Sequence, residues 1–407
     1  MEIKKLKKYL KPLFLWTVLG LLIGIACGVI GALFSKSISF VTLLREKNSW
    51  LLYFLPIAGL LSVAVYRILK IGHVGAVYIF ESAKSDKKIP KGLSVGMFIA
   101  SSLTHLCGGS AGKEGSAIQI GGGIAETVAR ILKLDSKKQN TLVLCGMAAL
   151  FSAVFGTPLA AAVFSLEVVR VSKNRISEFY PCIIASLSAF AVAQFFKVEA
   201  ERFEISIARQ FNMILLLKIL LISLLAAVIG YLFCKTLRYT SVLSQKILKN
   251  DYLRIFIGGC FVVLITYFIG NNEYNGSSIE GIYRIFEQET VKNETFVLKL
   301  ILTAITMGFG YKGGEIIPSL FIGSAFGSAA SVLLGIPIPL GAVVGMAALF
   351  CAVTKCPVAT VFLFFELFSG KALLYIILAT VIGRFCSFRA SLYGDVNPIF
   401  KHKKITD

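Results

Sequence analysis

A charged pair interrupts a long apolar passage in the stretch Gly112-Lys113-Glu114-Gly115-Ser116. No aspartate, glutamate, lysine or arginine occurs from Gly92 to Gly112, and none occurs from Gly115 to Ala125. A charge at the centre of a bilayer costs about 2.5–3.5 kcal/mol on insertion scales, so a base and an acid there need an explanation. One interpretation is a short loop that reaches the membrane surface between two helices. The other is an ion site, in which glycines lead into a helix whose first N–H groups point at a buried anion.

A second stretch of the same kind favours the ion site. Gly313-Gly314-Glu315-Ile316-Ile317-Pro318 opens another uncharged passage, which continues to Thr354. The residues that follow each stretch also repeat, because 146–151 and 345–350 both read GMAALF. Of the 22 positions from Gly146 to Glu167, 11 are identical in the second copy, where Glu366 is the equivalent of Glu167. One glycine-rich broken helix in each half of a duplication is typical of a transporter with its site between the repeats.

The composition indicates an all-α polytopic membrane protein. Hydrophobic residues make up 56% of the chain and charged residues 16%, whereas soluble domains carry about 25% charged residues. The net charge of +20 is concentrated at the two ends and in short loops, which does not indicate a nucleic-acid partner. By the positive-inside rule we expect a cell-membrane protein with both termini in the cytoplasm. Nine cysteines and three histidines show no metal-ligand spacing, so we expect neither metal nor cofactor.

The apolar segments predict the organisation of the chain. We expect a cytoplasmic N-terminal segment over residues 1–12, a first transmembrane repeat over 13–196, a linker over 197–212, a second repeat over 213–400 and a cytoplasmic tail over 401–407. The longest apolar span is Thr141–Leu166 in the first repeat and Leu340–Leu367 in the second. Several of the other spans are shorter than the ~20 residues that cross a bilayer, which indicates tilted and broken helices. Glycines recur in the first span and predict close helix packing there: Gly20, Gly24, Gly28 and Gly31.

These stretches carry a resemblance to the CLC family of anion channels and anion/proton antiporters. The second signature of that family, G-[KR]-E-G-P, corresponds to Gly112–Ser116, and the third, G-x-F-x-P, corresponds to Gly314–Pro318. The late tyrosine of the family falls on Tyr393. The first signature, G-S-G-I-P, aligns on Gly75–Ile79, where Ala76 replaces its serine. The resemblance implies a CLC-type fold of two inverted repeats with broken, tilted helices.

An anion that enters a bilayer loses its water, and oriented dipoles must replace that water without binding the ion too tightly to release it. The unpaired N–H groups at the start of a helix supply such dipoles. The resemblance places the tyrosine hydroxyl on the far side of the ion, and the first signature close to it. The predicted anion-binding residues are Lys113, Gly115, Ser116, Glu315, Ile316, Ile317, Tyr393 and Ala76.

The gate is predicted to be Glu114. An ionised carboxylate beside converging N–H groups is itself an anion and competes for the site, and protonation removes it. The inner proton-transfer glutamate of the family's antiporters falls on Val168 here, so Glu315 and the neighbouring Glu167 are the remaining candidates for proton transfer. Glu167 could instead be structural or lie at a subunit interface, and Glu315 could turn to water. An acid at 315 resembles the bacterial fluoride/proton antiporter branch, although that branch typically has methionine where Ala76 stands.

Two functions remain open at this point: halide transport, of chloride or fluoride, coupled to protons, and a passive anion channel of the same fold. An enzyme is not expected. Residues 109–114 suggest a phosphate-binding loop, but Cys107 stands where its first glycine should be, and Glu114 replaces its Mg²⁺-binding Ser/Thr. The expected partners are halide anions, protons, the lipid bilayer and a second copy of the chain. Small residues of Phe179–Phe196 are the expected dimer contact: Ala185, Ser186, Ser188 and Ala189.

Overall fold

The computed structural model describes residues 2–85, 87–170, 177–205, 212–287, 292–386 and 390–394, with side chains from residue 11 onward. The predicted tail over 401–407 lies outside the described residues. The described ranges are helical apart from loops, one 3₁₀ segment at Ser49–Phe54 and one isolated bridge. The helices are α1 Glu2–Lys47, α2 Leu55–Ile68, α3 Ala76–Ser82, α4 Leu93–Leu106, α5 Glu114–Ile131, α6 Ser136–Phe155, α7 Pro158–Val169, α8 Phe179–Phe195, α9 Met213–Ile247, α10 Asp251–Ile269, α11 Ile279–Phe286, α12 Thr295–Gly308, α13 Ile316–Leu334, α14 Ile338–Thr354, α15 Pro357–Leu367 and α16 Leu373–Phe385.

The two long apolar spans predicted from the sequence are each broken into two helices. The first is divided after Gly156, which has a φ of +77°, and α7 then begins with Pro158. The second is divided at Lys355, with a φ of +63°, and α15 begins with Pro357. A left-handed residue ends a helix, and a proline at the first position of the next helix loses no hydrogen bond. The repeats are therefore interrupted at equivalent places.

The helices form an inner group and an outer group. In the most apolar windows of α6 and α13, 83% of the residues are buried, whereas the figure is 33% for α1, α9 and α10. Six helices are long and apolar enough to cross a membrane, among the residues described. Large apolar side chains remain exposed along the outer helices, where lipid tails would contact them. These features define a multi-pass membrane protein.

The glycines of the first span pack α1 against α8. A Cβ added to Gly24 would lie 1.8 Å from Oγ of Ser188, and one added to Gly28 would lie 2.7 Å from Cβ of Val192. The close packing predicted from the glycine spacing is therefore present. The prediction that this face of α8 is a dimer contact is wrong. Within one chain α1 already covers the face, and Ala185 is fully buried. α1 also begins at Glu2, so the predicted cytoplasmic segment 1–12 continues directly into the first span.

The two repeats join at equivalent glycines. Gly112 N–H donates to the carbonyl of Gly314 at 2.7 Å, and Gly314 N–H donates back to the carbonyl of Gly112 at 2.7 Å. The bridge is antiparallel. α5 begins two residues after one glycine and α13 two residues after the other, so the helices leave the bridge in opposite directions. A reciprocal contact between equivalent residues requires a local two-fold relation between the repeats, which agrees with the inverted arrangement expected from the sequence.

A second reciprocal contact joins α7 and α15. The carboxylate of Glu366 accepts hydrogen bonds from the N–H groups of Leu159 and Ala160, at 3.1 and 2.8 Å. The carboxylate of Glu167 accepts them from Val358 and Ala359, at 3.1 and 2.7 Å. Each acid near the end of its own helix thus pairs the free N–H groups at the start of the equivalent helix in the other repeat. This contact explains why the glutamate occurs in both copies.

The polar stretch predicted as a linker, residues 197–212, packs against the helices as far as Ile205. Phe203 is buried, its N–H donates to the carbonyl of Leu367 at 2.9 Å, and its ring packs on Phe286 and Phe368. Residues 206–211 of the predicted linker lie outside the described residues. The connection therefore contributes side chains to the core, and one of them, Glu201, reaches the candidate site.

Candidate ion site

The glycine bridge brings the starts of α5 and α13 together. A Cβ on Gly115 would lie 2.6 Å from Cα of Gly314, so only glycine fits at this approach. The first-turn N–H groups of Gly115, Ser116, Ile316 and Ile317 have no hydrogen-bond acceptor within the described residues. Two helix N-termini with unpaired donors therefore meet inside the protein, which is the arrangement expected for a dehydrated anion.

Glu114 occupies the space between these helix starts. The residue is fully buried, and neither carboxylate oxygen has a hydrogen-bond partner. A Cβ built on Gly112 would come within 2.5 Å of Oε2 of Glu114 and within 3.3 Å of Ile317 Cβ and Pro318 Cδ, so the carboxylate lies beside the first turn of α13. A buried carboxyl group without partners is costly. Among the described residues, no hydrogen bond fixes the carboxylate at this position.

Three other predicted residues line one open cavity of about 360 Å³. The start of α3 contributes Ala76, the loop before α13 contributes Glu315, and the end of the described chain contributes Tyr393. The hydroxyl of Tyr393 is buried without a partner, while its ring packs edge-on against Phe80 at 5.1 Å between centroids. The structure thus brings the first signature, the third signature and the late tyrosine to a single cavity.

The side chain of Glu315 extends from this cavity towards the start of α5. Its Oε2 lies 3.6 Å from the position of a Cβ built on Gly115. Glu315 is half-buried, whereas Glu114 is inaccessible to solvent. One carboxylate therefore faces an open cavity and the other lies deeper, and both are close to the starts of α5 and α13.

The side chains of Lys113 and Ser116 point away from the helix starts. The ammonium of Lys113 lies 3.5 Å from Oε1 of Glu201, and the hydroxyl of Ser116 donates to Ser101 at 3.0 Å. Tyr283 donates a second hydrogen bond to Glu201, at 2.9 Å. Both residues can therefore reach an anion only through their backbone, and the charge of Lys113 is balanced. The pairing with Glu201, which lies 88 residues away in the chain, has no local signal in the sequence.

The glycine loop before α5 is held from the second repeat. The backbone N–H of Ser110 donates to the hydroxyl of Thr306 at 3.1 Å, and its own hydroxyl lies 3.0 Å from that of Thr303. The amide of Asn275 donates to the carbonyl of Gly108 at 2.9 Å. Side chains of the second half thus fix the loop that presents Glu114.

A buried lysine fixes the segment that carries Asn275. Lys299 is fully buried, and its ammonium donates to the carbonyls of Tyr274 and Gly276, at 3.1 and 2.7 Å, and to the hydroxyl of Ser278 at 2.8 Å. No described carboxylate forms an ion pair with it. Three neutral oxygens therefore satisfy the three donors of the ammonium group.

Two further residues near the site were missed. Gln119, one turn along α5 from Gly115, is buried, and its carbonyl oxygen has no partner. Phe164 of α7 packs edge-on against Tyr393 at 6.4 Å. The lone amide in the apolar run after Glu114 could have indicated Gln119 from the sequence, whereas an aromatic residue in an apolar helix gave no such indication of Phe164.

Val168 is buried, and both carboxylate oxygens of Glu167 accept hydrogen bonds from α15. The described residues contain no cluster of three or more His, Cys, Asp or Glu side chains that could hold a metal.

Comparison with known proteins agrees with this geometry. The profile of the family described as Voltage gated chloride channel matches residues 70–387, and the chain belongs to that family. It is 29% identical to the Chloride/fluoride channel protein of Pseudomonas syringae pv. tomato, over 88% of this chain and 80% of the relative. It is 26% identical to the H(+)/Cl(-) exchange transporter ClcA of Vibrio cholerae, over 90% of this chain and 84% of the relative.

Solved structures show the same fold. A CLC-type fluoride/proton antiporter is 30% identical, with a TM-score of 0.88 over 94% of this chain and 97% of that one. A slow cyanobacterial Cl⁻/H⁺ antiporter is 19% identical, with a TM-score of 0.76 over 91% of this chain and 94% of that one. The CLC-type fold of inverted repeats predicted from the sequence is confirmed. The family consists of channels and transporters, not enzymes.

Gly115→Ala should disrupt the meeting of the two helix starts. Since the new methyl group would collide with Gly314, we expect anion flux from proteoliposomes to fall about 10-fold or more, in line with ~1–3 kcal/mol for an extra methyl in a packed site. Gly75→Ala is the matched control, because a Cβ there meets nothing within 4 Å and Gly75 lines the cavity beside Ala76. Equal flux in the two variants would contradict the close approach.

Proposed function

We propose that this protein is a halide/proton antiporter in which Glu114 and the transported anion alternate at the starts of α5 and α13. The observation that supports the proposal is the fully buried carboxylate of Glu114, which has no hydrogen-bond partner beside unpaired helix N–H groups. An ionised Glu114 takes the place of the anion. When it is protonated it no longer competes, and the halide binds the same donors. Proton and anion occupancy are linked through that one residue.

Glu315 is proposed to pass the proton between Glu114 and the open cavity. An ionised Glu315 beside a halide would cost roughly 4 kcal/mol at 4 Å with an effective dielectric constant of 20. That cost is avoided if Glu315 is protonated while the anion passes. Its placement supports this role, because it lines the cavity and its Oε2 lies near Gly115. Glu167 remains the second candidate for proton transfer, although its carboxylate already accepts two N–H groups.

Fluoride is the halide that we propose first. A protonated carboxyl group donates an O–H hydrogen bond, and such bonds to an anion are short and strong. Glu114 and Glu315 place two carboxyl groups beside the proposed binding position, which favours a small anion that accepts strongly. A relative at 29% identity is named a chloride/fluoride channel protein, and a structure at 30% identity is titled a fluoride/proton antiporter. The residues proposed to bind the anion through N–H groups are Lys113, Gly115, Ser116, Glu315, Ile316 and Ile317, with the Tyr393 hydroxyl opposite and Ala76 beside it.

A passive anion channel is the alternative, and one observation favours it. Val168 is an apolar, buried residue where the family's antiporters carry the inner proton glutamate. If neither Glu315 nor Glu167 replaces that glutamate, the described residues supply no titratable group for a proton route to the inner side. A reversal potential that follows the anion gradient alone, at two pH values, would support the channel.

We also propose that the protein functions as a homodimer, as the family resemblance implies, with both termini in the cytoplasm, as the positive-inside rule predicts. Since α1 covers the small residues of α8, the second copy must contact another surface. Light scattering of the purified protein in mild detergent should give the mass of two chains. A single-chain mass with transport intact would contradict the dimer.

Glu114→Gln should imitate the protonated gate. The amide carries no charge and has nearly the size of the carboxyl group, so it cannot compete as an anion. We expect halide flux that no longer responds to pH and no proton movement against a halide gradient. Both are measured in liposomes with a halide electrode and a pH dye. Proton pumping that survives the substitution would remove Glu114 from the mechanism.

Glu315→Gln should separate anion binding from proton transfer. The amide keeps the backbone of α13 unchanged but cannot exchange a proton. We therefore expect halide binding, measured by calorimetry, to persist while halide-driven proton transport becomes slow or is lost. Glu167→Gln serves as the comparison, since it weakens the start of α15 without entering the cavity. If Glu315→Gln pumps protons as fast as the unmodified protein, its role is structural.

A further inference from the structure

A basic cavity of about 150 Å³ lies apart from the ion site, between α2, α10 and the segment that precedes α13. Four cationic side chains line it: Arg67, Lys70, Arg254 and Lys312. Asp251 is the one carboxylate in the lining. Such an excess of cationic over anionic side chains in the lining of a cavity indicates an anionic ligand.

The carboxylate of Asp251 does not neutralise the cavity. It lies 2.5 Å from Arg254 and 3.7 Å from the imidazole of His73. Arg67 stacks over the ring of Tyr252 at 4.5 Å, and the ammonium of Lys312 lies 4.6 Å from the ring centre of Tyr66. Among the residues described, no carboxylate forms an ion pair with Arg67, Lys70 or Lys312. These aromatic contacts position two cations without cancelling their charge.

The cavity lies where two membrane-spanning helices end. The apolar span Ser49–Ile68 ends beside it, and the span Asp251–Ile269 begins there. Large apolar side chains next to it are exposed, with Ile68 at 77% and Leu253 at 50%. A ligand at this place meets positive charge at one end and an apolar, lipid-facing surface at the other.

We propose that the cavity binds the phosphate of an anionic phospholipid, whose acyl chains lie along the outer faces of α2 and α10. The phosphate of such a lipid contacts the basic side chains and its acyl chains contact the apolar surface, whereas a free phosphate would contact only the basic side chains. Basic pockets between membrane helices are known to bind such headgroups.

The bound lipid would connect the outer helices to the ion site. Lys312 lies three residues before Glu315 in the same segment. The hydroxyl of Tyr311 donates to the carbonyl of Leu55 at 2.9 Å, and Phe309 packs against Gly258 of α10. A phosphate between Arg67, Arg254 and Lys312 would hold this segment against α2 and α10. The lipid then stabilises the loop from which α13 begins.

Native mass spectrometry of the purified full-length protein tests this binding directly. The protein is titrated with phosphatidylglycerol and, separately, with phosphatidylcholine, and we expect retention of the anionic lipid only. Glycerol phosphate, added in equal amount to the lipid, supplies the headgroup chemistry without acyl chains and should not displace it. Equal retention of the two lipids, or displacement by glycerol phosphate, would overturn the proposal. This arm needs no variant and does not depend on halide transport.

Substitutions locate the lipid. Arg67→Gln and Lys312→Gln should each weaken phosphatidylglycerol binding about fivefold, and together about 25-fold, from the contribution of one basic residue near an anionic headgroup. Lys312→Arg should retain it. Lys246→Gln is the matched control, since Lys246 is an exposed base of α9 that lines no part of the cavity. If the double variant elutes as a folded species and binds the lipid as tightly as Lys246→Gln, the site is elsewhere.

Discussion

The pair of hydrogen bonds between Gly112 and Gly314 is the contact on which the site depends. It holds the two repeats together at the residues that precede α5 and α13, so the free N–H groups of both helices converge. The approach leaves no room for a side chain at Gly115. Because each helix start carries a partial positive charge, bringing two together is unfavourable unless an anion lies between them. The buried carboxylate of Glu114 lies beside these helix starts, so the proposed gate depends directly on the packing of the repeats.

The rest of the architecture supports this contact without adding charge to it. Lys113, which precedes α5, is paired with Glu201, so the proposed site relies on dipoles. The loop before α5 is held by neutral side chains of the second repeat and, through Asn275, by the segment that Lys299 fixes. A site built from full positive charges would bind a halide too tightly to release it. In the proposed site, backbone donors supported by neutral contacts would provide moderate binding and a fixed geometry.

The sequence predicts much of this arrangement, and the reasons are physical. Duplicated glycine stretches, the uncharged runs beside them and the family signatures are local features, so they located both helix starts, Glu114 and Glu315. Contacts between side chains that are far apart in the sequence have no local pattern that predicts them. The pairing of Lys113 with Glu201, the hydrogen bond from Ser116 to Ser101 and the burial of Ala185 under α1 all depend on the packing of complete helices. The sequence did not show where the two long spans break, because hydropathy stays high across Gly156 and Pro158. The helical backbone nevertheless ends there.

The reciprocal caps of Glu167 and Glu366 have a mechanical meaning when considered with the glycine bridge. Two bodies joined at one point can pivot in any direction, but two bodies joined at two separate points can turn only about the line through both. The repeats are joined at Gly112–Gly314 and again where α7 and α15 meet. Further contacts between the repeats, such as those of Ser110 with Thr306 and of Tyr311 with Leu55, oppose rotation about that line as well. In the mechanism proposed above, opening to either side of the membrane would then fall to small groups that turn about their own bonds, such as one carboxylate, while the two repeats keep their relative position.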